Sequence, residues 1–134
     1  MSKIKKPDRN YNDRYKQPQE TKSTDNEVIV YSFENLQDEY DDLDNDNKIA
    51  LLDSIIKRRK MTWNEIKQAH RHGLGTEHIS RSSIKRAFPK SLTDDVFDAL
   101  LSIRYNAKAP VIGYRISNVF YILWIDTKFD VYNH

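Results

Sequence analysis

Arg115 lies in Val111-Ile112-Gly113-Tyr114-Arg115-Ile116, and the returning run carries Phe120 and Trp124. A guanidinium on a strand can grip a phosphate through two parallel N–H groups. Neighbouring rings give bases a surface to stack on. The competing reading is an arginine on a solvated sheet face, paired with Asp126 or Asp130. A second patch gathers Lys67, His70, Arg71 and His72 ahead of Glu77 and His78, beside Gly73 and Gly75. Histidine moves protons near neutrality, while Lys and Arg hold phosphate. A metal set of His70, His72, His78 and Glu77 has no recognised ligand spacing, and residues i and i+2 do not share a helix face. No metal or other cofactor is therefore expected. A basic helix end, with histidines near its negative pole, accounts for the same residues. A third group, Arg81, Lys85, Arg86 and Lys90, recurs at roughly helical spacing. Such a stripe follows phosphate backbones, unless it is a solvated face or pairs with the acidic segment 34–46.

These residues sit in an uneven distribution of charge. The 134 residues sum to +2, with 38% hydrophobic and 31% charged. Residues 27–47 hold eight acids and no base, whereas 48–90 hold eleven bases against three acids. The moderate net charge thus conceals a basic middle with an acidic stretch just before it. The absence of Cys excludes disulfides, thiolate catalysis and sulfur-based zinc sites. No apolar run reaches the roughly 18 residues needed to span a bilayer, so no membrane partner is expected. The basic start at Met1 has no apolar stretch behind it and is no secretory signal; the expected location is cytoplasmic. Residues 1–26 contain only Met1, Ile4, Tyr11 and Tyr15 as large hydrophobics. They read as a disordered basic leader, ahead of a single α+β domain over 27–134.

The elements follow from pattern and punctuation. Val28 to Phe33 is β-branched and aromatic, a strand. The acids of 38–46 suit the N-terminal end of a helix carrying Ile49, Leu52, Ile55 and Ile56 and ending in Lys57-Arg58-Arg59-Lys60. Thr62-Trp63-Asn64-Glu65 is a capping box, with Met61 and Ile66 as its hydrophobic staple; a second helix runs from Trp63 to about His70. Ser80 to Ala87 is a further short helix, stopped by Pro89. Thr93-Asp94-Asp95 caps another through Val96, Phe97, Leu100 and Leu101. Strands follow at 111–116 and 119–125, joined by a two-residue turn at Ser117-Asn118, and 130–134 closes the chain. In that hairpin Ile116, Tyr114 and Ile112 face Val119, Tyr121 and Leu123 on the core side. Arg115, Gly113, Phe120 and Trp124 lie on the outer face.

One strand, two helices and an antiparallel meander in this order resemble the RelE/ParE-like toxins of bacterial toxin–antitoxin systems. The resemblance covers 27–134 and is carried by Val28 to Phe33, the helices at 46–60 and 63–72, the two hairpin strands, and Asp130-Val131-Tyr132-Asn133-His134. It implies an antiparallel sheet, one N-terminal strand plus a C-terminal meander, covered on one face by helices. It implies a metal-independent endonuclease acting on RNA, often ribosome-bound mRNA, through the RNA's own 2′-hydroxyl, with a cognate antitoxin as protein partner. Arg115 matches the family's strand arginine; Tyr132 and His134 match the Tyr or His that some members carry near the C-terminus. Chemistry adds His70 and His72 to the catalytic set, and Lys67, Arg71, Arg81, Lys85, Arg86, Phe120 and Trp124 as substrate contacts. Relatives that block DNA gyrase cut nothing. Two other readings therefore stand: a protein-binding module or inhibitor, directed at phage or host, and a nucleic-acid-binding protein without cleavage.

Overall fold

The computed structural model describes residues 23–70, 73–106 and 109–133. Its strands are β1 (Val30–Ser32), β2 (Thr76–Ile79), β3 (Leu100–Arg104), β4 (Pro110–Ile116) and β5 (Val119–Ile125). They form one sheet in the order β1-β5-β4-β3-β2. The chain is α+β as expected, but the sheet is mixed. β2 to β5 pair antiparallel, whereas β1 runs parallel to β5. No tight turn joins β1 to β5, and the long connection between them leaves their relative direction free.

Two helices cover one face. α1 (Asn45–Arg58) is capped by Asp44, whose carboxylate accepts from the Asn47 amide at 2.8 Å. α2 (Trp63–Gln68) has the expected capping box: the Glu65 amide donates to Thr62 Oγ1 at 3.2 Å, and the Thr62 amide donates to Glu65 Oε1 at 2.9 Å. The start of the expected first strand is consumed by this helix entry. Ile29 donates to the Met61 carbonyl at 3.0 Å and Val28 bridges to Thr62, so only Val30–Ser32 remains as sheet.

α1 is rotated from the face that its hydrophobic spacing suggests. Leu51, Ser54 and Arg58 are buried, with Ile55 packed beside them, while Ile49, Leu52 and Ile56 are exposed. Arg58 explains the turn. Its guanidinium donates to the carbonyls of Leu74 at 2.9 Å, Arg104 at 3.0 Å and Gly73 at 3.3 Å, and to the Ser54 hydroxyl. That bonding ties α1 to the 73–74 turn and the end of β3. Burial lowers the pKa of Arg58, although a guanidinium stays charged.

Three segments differ from the sequence pattern. Residues 76–79, to which that pattern assigns no element, form an edge strand, because Thr76 to Ile79 pair with Ile103 to Leu100. Within 80–87 only Arg81–Ser83 turns, as a 3-10 helix. The helix expected from Thr93 through Leu101 is a 3-10 segment over Asp94–Ala99, and Leu100 already begins β3.

The other face of the sheet carries a second core. Phe97, Leu100, Ile112, Tyr114, Leu123, Trp124, Val131 and Tyr132 pack there, with Phe88 and Leu92 against them. The hairpin register decides this division. Ile116↔Val119, Arg115↔Phe120 and Tyr114↔Tyr121 pair as expected, with Ser117 at φ 60 in the turn. Gly113 then pairs with Ile122 and Ile112 with Trp124, leaving Leu123 as the extra residue of a bulge. Ile112 therefore does not face Leu123. Beyond the bulge the alternation slips by one, so Trp124 joins Leu123 in the second core, while Phe120, Ile122 and Ile125 stay under the helices. Gly113 permits the close approach, since a Cβ there would sit 2.0 Å from the Tyr121 carbonyl oxygen.

Gly113→Ala should therefore lower unfolding stability by about 1–3 kcal/mol or more, measured by denaturant titration; an unchanged curve would show that the bulge tolerates a side chain. Burial also raises the hydroxyl pKa of Tyr31, Tyr114 and Tyr132, and pushes Tyr105 up to about 12, with Asp126, Asp44 and Asp38 adding to the effect. The unfolded chain releases these protons near pH 10 and the folded chain retains them, so stability should fall as pH rises from about 10 towards 12. Tyr105→Phe should flatten that decline; an identical slope would contradict the assignment.

Candidate functional site

α2, β2 and β4 bring three basic side chains to one place on the helix-covered face. Trp63 and Lys67 stand one helical turn apart on α2 and meet Thr76 and His78 of β2, Leu101 of β3 and Arg115 of β4. Together with Ala99 they line a cleft of about 270 Å³. The sheet register explains the composition of its floor: His78 pairs with Leu101 and Thr76 with Ile103, so all four project to one face.

Trp63 organises the cleft. It is 1% exposed, and its indole N–H donates to the Asn118 carbonyl at 2.8 Å, fixing the ring. Its edge meets Phe120, with centroids 6.4 Å apart. The Arg115 guanidinium lies 4.2 Å from the centre of the Trp63 ring, a cation–π contact. Arg115 Nε also donates to the Ser117 carbonyl at 2.7 Å. The guanidinium is thus held in one orientation by its own hairpin turn and by an aromatic face.

The remaining contact was absent from the expected partners. Arg115 Nη2 pairs with Asp25 Oδ1 at 2.7 Å and donates to Thr24 Oγ1 at 3.0 Å, rather than reaching Asp126 or Asp130. Lys67 Nζ pairs with the other oxygen of Asp25 at 2.8 Å. The two cations hold the Asp25 carboxyl below its usual pKa, with Lys67 the larger influence. Residues 23–26, at the end of the segment read as leader, lie against α2: Asn64 donates its amide to the Asp25 carbonyl and its side chain to Asn26, each at 2.8 Å.

The other expected site residues are elsewhere. Phe120 is fully buried and Trp124 is 3% exposed, on opposite faces of the sheet, so neither ring can stack on a base. Tyr132 lies in the second core and bridges Ile84, across the sheet from Arg115. Arg81 pairs with Asp94 at 3.2 Å and Asp98 at 3.7 Å, near the Phe88 and Phe97 rings. Arg86 pairs with Asp130 at 2.8 Å. Asp94, Asp98 and Asp130 thus answer Arg81 and Arg86, and Asp38 of the acidic segment also lies within the field of Arg86. Lys85 is exposed, and its backbone amide donates to Val131 at 2.7 Å. His70 is exposed, and its carbonyl accepts from Gly73 and Gly75. Arg71, His72 and His134 lie outside the described residues.

Of the expected set, the cleft contains Lys67 and Arg115. Sequence reasoning missed Trp63 and Asp25 as site residues, and noted His78 in the histidine patch and the metal set without taking it as a site residue. The i, i+4 spacing of Trp63 and Lys67 was the available signal, because it stacks ring and ammonium on one helix face. Among the described residues, no group of three or more His, Asp or Glu is placed to share a metal ion, and no helix is long and apolar enough to cross a membrane. Comparisons with family models, curated proteins and solved structures return no match to this chain.

Proposed function

We propose that this chain binds RNA in the Lys67–His78–Arg115 cleft and cuts it there without a metal, as a toxin-type endoribonuclease similar to the RelE/ParE family. The observation that carries the reading is the convergence of an ammonium, an imidazole and a ring-held guanidinium on one cleft. These are the groups that a metal-free phosphodiester cleavage requires. His78 takes the proton of the RNA 2′-hydroxyl, whose oxygen attacks the adjacent phosphorus. The bond from phosphorus to the 5′-oxygen breaks, and that oxygen takes a proton from water, leaving a 2′,3′-cyclic phosphate and a 5′-hydroxyl. Lys67 and Arg115 face the negative charge that gathers on the non-bridging oxygens, and a guanidinium fixed beforehand stabilises it without reorganising. Tyr132 has no part in this arrangement, because it packs beneath the other face.

The α1 stripe of Ile49, Leu52 and Ile56 favours a second reading, a module that docks a protein partner such as an antitoxin and cuts nothing. These side chains are 44–61% exposed and lie on one helix face.

A short labelled RNA incubated with the full chain separates the two readings. Cleavage should persist in a metal chelator and leave cyclic phosphate ends. His78→Ala should slow it by about 10²–10⁴, Arg115→Ala by about 10²–10³, and Tyr132→Phe should leave the rate intact. A parent protein that cuts no RNA and arrests no growth on expression would remove the nuclease reading in favour of the docking module.

A further inference from the structure

Asp25 sits where the proposed substrate's phosphate would sit. Its two carboxylate oxygens are divided between the site's two permanent cations, Oδ2 to Lys67 at 2.8 Å and Oδ1 to Arg115 at 2.7 Å. A phosphodiester presents the same edge, two oxygens sharing one negative charge, and guanidinium groups recognise both anions through the same N–H geometry. The Thr24 hydroxyl, 3.0 Å from Arg115 Nη2, adds a third oxygen to this arrangement.

We infer that Asp25 is a built-in competitor, an internal anion that occupies the cleft and must be displaced before a phosphate can bind; this rests on the RNA reading above. Two features make it displaceable. First, the pair is partly open to solvent, with the Asp25 side chain 28% and the Lys67 side chain 52% exposed, so screening keeps it weak. Second, the contacts that hold residues 23–26 against α2 do not use the Asp25 carboxylate. Asn64 donates to the Asp25 carbonyl and to Asn26, and Glu27 donates to the Thr24 carbonyl at 3.0 Å, so the side chain can swing out while its backbone stays. Arg115, by contrast, keeps its Ser117 and Trp63 contacts when Asp25 leaves, so the guanidinium stays aimed. The consequence is a threshold. An isolated phosphate competes poorly with a tethered carboxylate, whereas a polyanion with neighbouring phosphates displaces it. The apparent affinity is reduced by the fraction of molecules in which Asp25 is docked.

The test measures binding, separately from cleavage. A fluorescent 2′-O-methyl RNA oligonucleotide, which has no free 2′-hydroxyl to attack, is titrated with the full-length parent, Asp25→Asn, Arg115→Ala and the double variant. Asp25→Asn should tighten binding by about three- to tenfold, and Arg115→Ala should weaken it in both backgrounds. Asp25→Ser serves as a second variant with the same expectation should the Asn form fail to fold. Equal affinity of parent and Asp25 variants, with Arg115→Ala still weaker, would overturn the competitor and leave the phosphate site standing. Weaker binding by the Asp25 variants would make Asp25 a positioning residue instead. Insensitivity to Arg115→Ala, or no binding by any form, would overturn the RNA reading and the competitor together.

Discussion

The extra residue Leu123, set against Gly113, divides this molecule into its two cores. A strand without the bulge would keep Phe120, Ile122 and Trp124 on one face, under the helices. With it, Trp124 turns to the opposite face and meets Phe88 at 6.0 Å between ring centroids, giving the 88–97 segment and the C-terminal residues something to pack on. Asp126, two residues on, is 1% exposed, with its carboxylate accepting the amides of Asp130 at 2.8 Å and Val131 at 3.1 Å. The bulge therefore determines where the chain's end is anchored, and why Tyr132 lies beneath the second face.

On the first face, the cleft exists because two cations of different character are kept apart. Arg58 is spent inside, on carbonyls at the junction of α1, the 73–74 turn and β3. Its charge is answered by the dipoles of those carbonyls and of the Ser54 hydroxyl. Arg115 is spent at the rim, between the Trp63 face and Asp25. α2, only six residues long, contributes its buried indole and its exposed ammonium through one turn of helix, and the capping box fixes where that turn begins. Gly75 lets the chain leave α2 tightly, since a Cβ there would lie 2.2 Å from the Ala69 carbonyl oxygen. This allows the following residues to return as β2 and present His78 to the cleft.

Local chemistry was legible where one short segment decides the outcome. The Thr62 capping box, the Ser117-Asn118 turn and the registers from Ile116 to Tyr114 follow from adjacent residues. Features set by distant parts of the chain were not legible. The helical spacing of Ile49, Leu52 and Ile56 points to a buried face, yet the burial of Arg58 rotates them outward. Phe120 and Trp124, four apart on a strand, share a face by period, and a single unpaired residue separates them. Thr93 to Leu101 carries helix caps, but from Leu100 onward the pairing with Tyr114 and its neighbours takes over. Of the site, the basic types at 67 and 115 were visible. Their meeting, and Asp25 between them, depend on contacts across 42 and 90 residues of sequence, which no spacing rule encodes.

The proposed function requires that a nucleic-acid phosphate bind in the cleft of Trp63, Lys67, His78 and Arg115. The most direct measurement is amide, indole and imidazole chemical-shift mapping of the isotope-labelled full chain during titration with the 2′-O-methyl oligonucleotide. The account predicts that the largest changes fall on the Trp63 indole N–H, the His78 ring and the amides of 115–118. Residues 81–86 and 132 should be nearly undisturbed. Changes centred on Arg81, Lys85 and Arg86, with Trp63 and His78 unmoved, would contradict it.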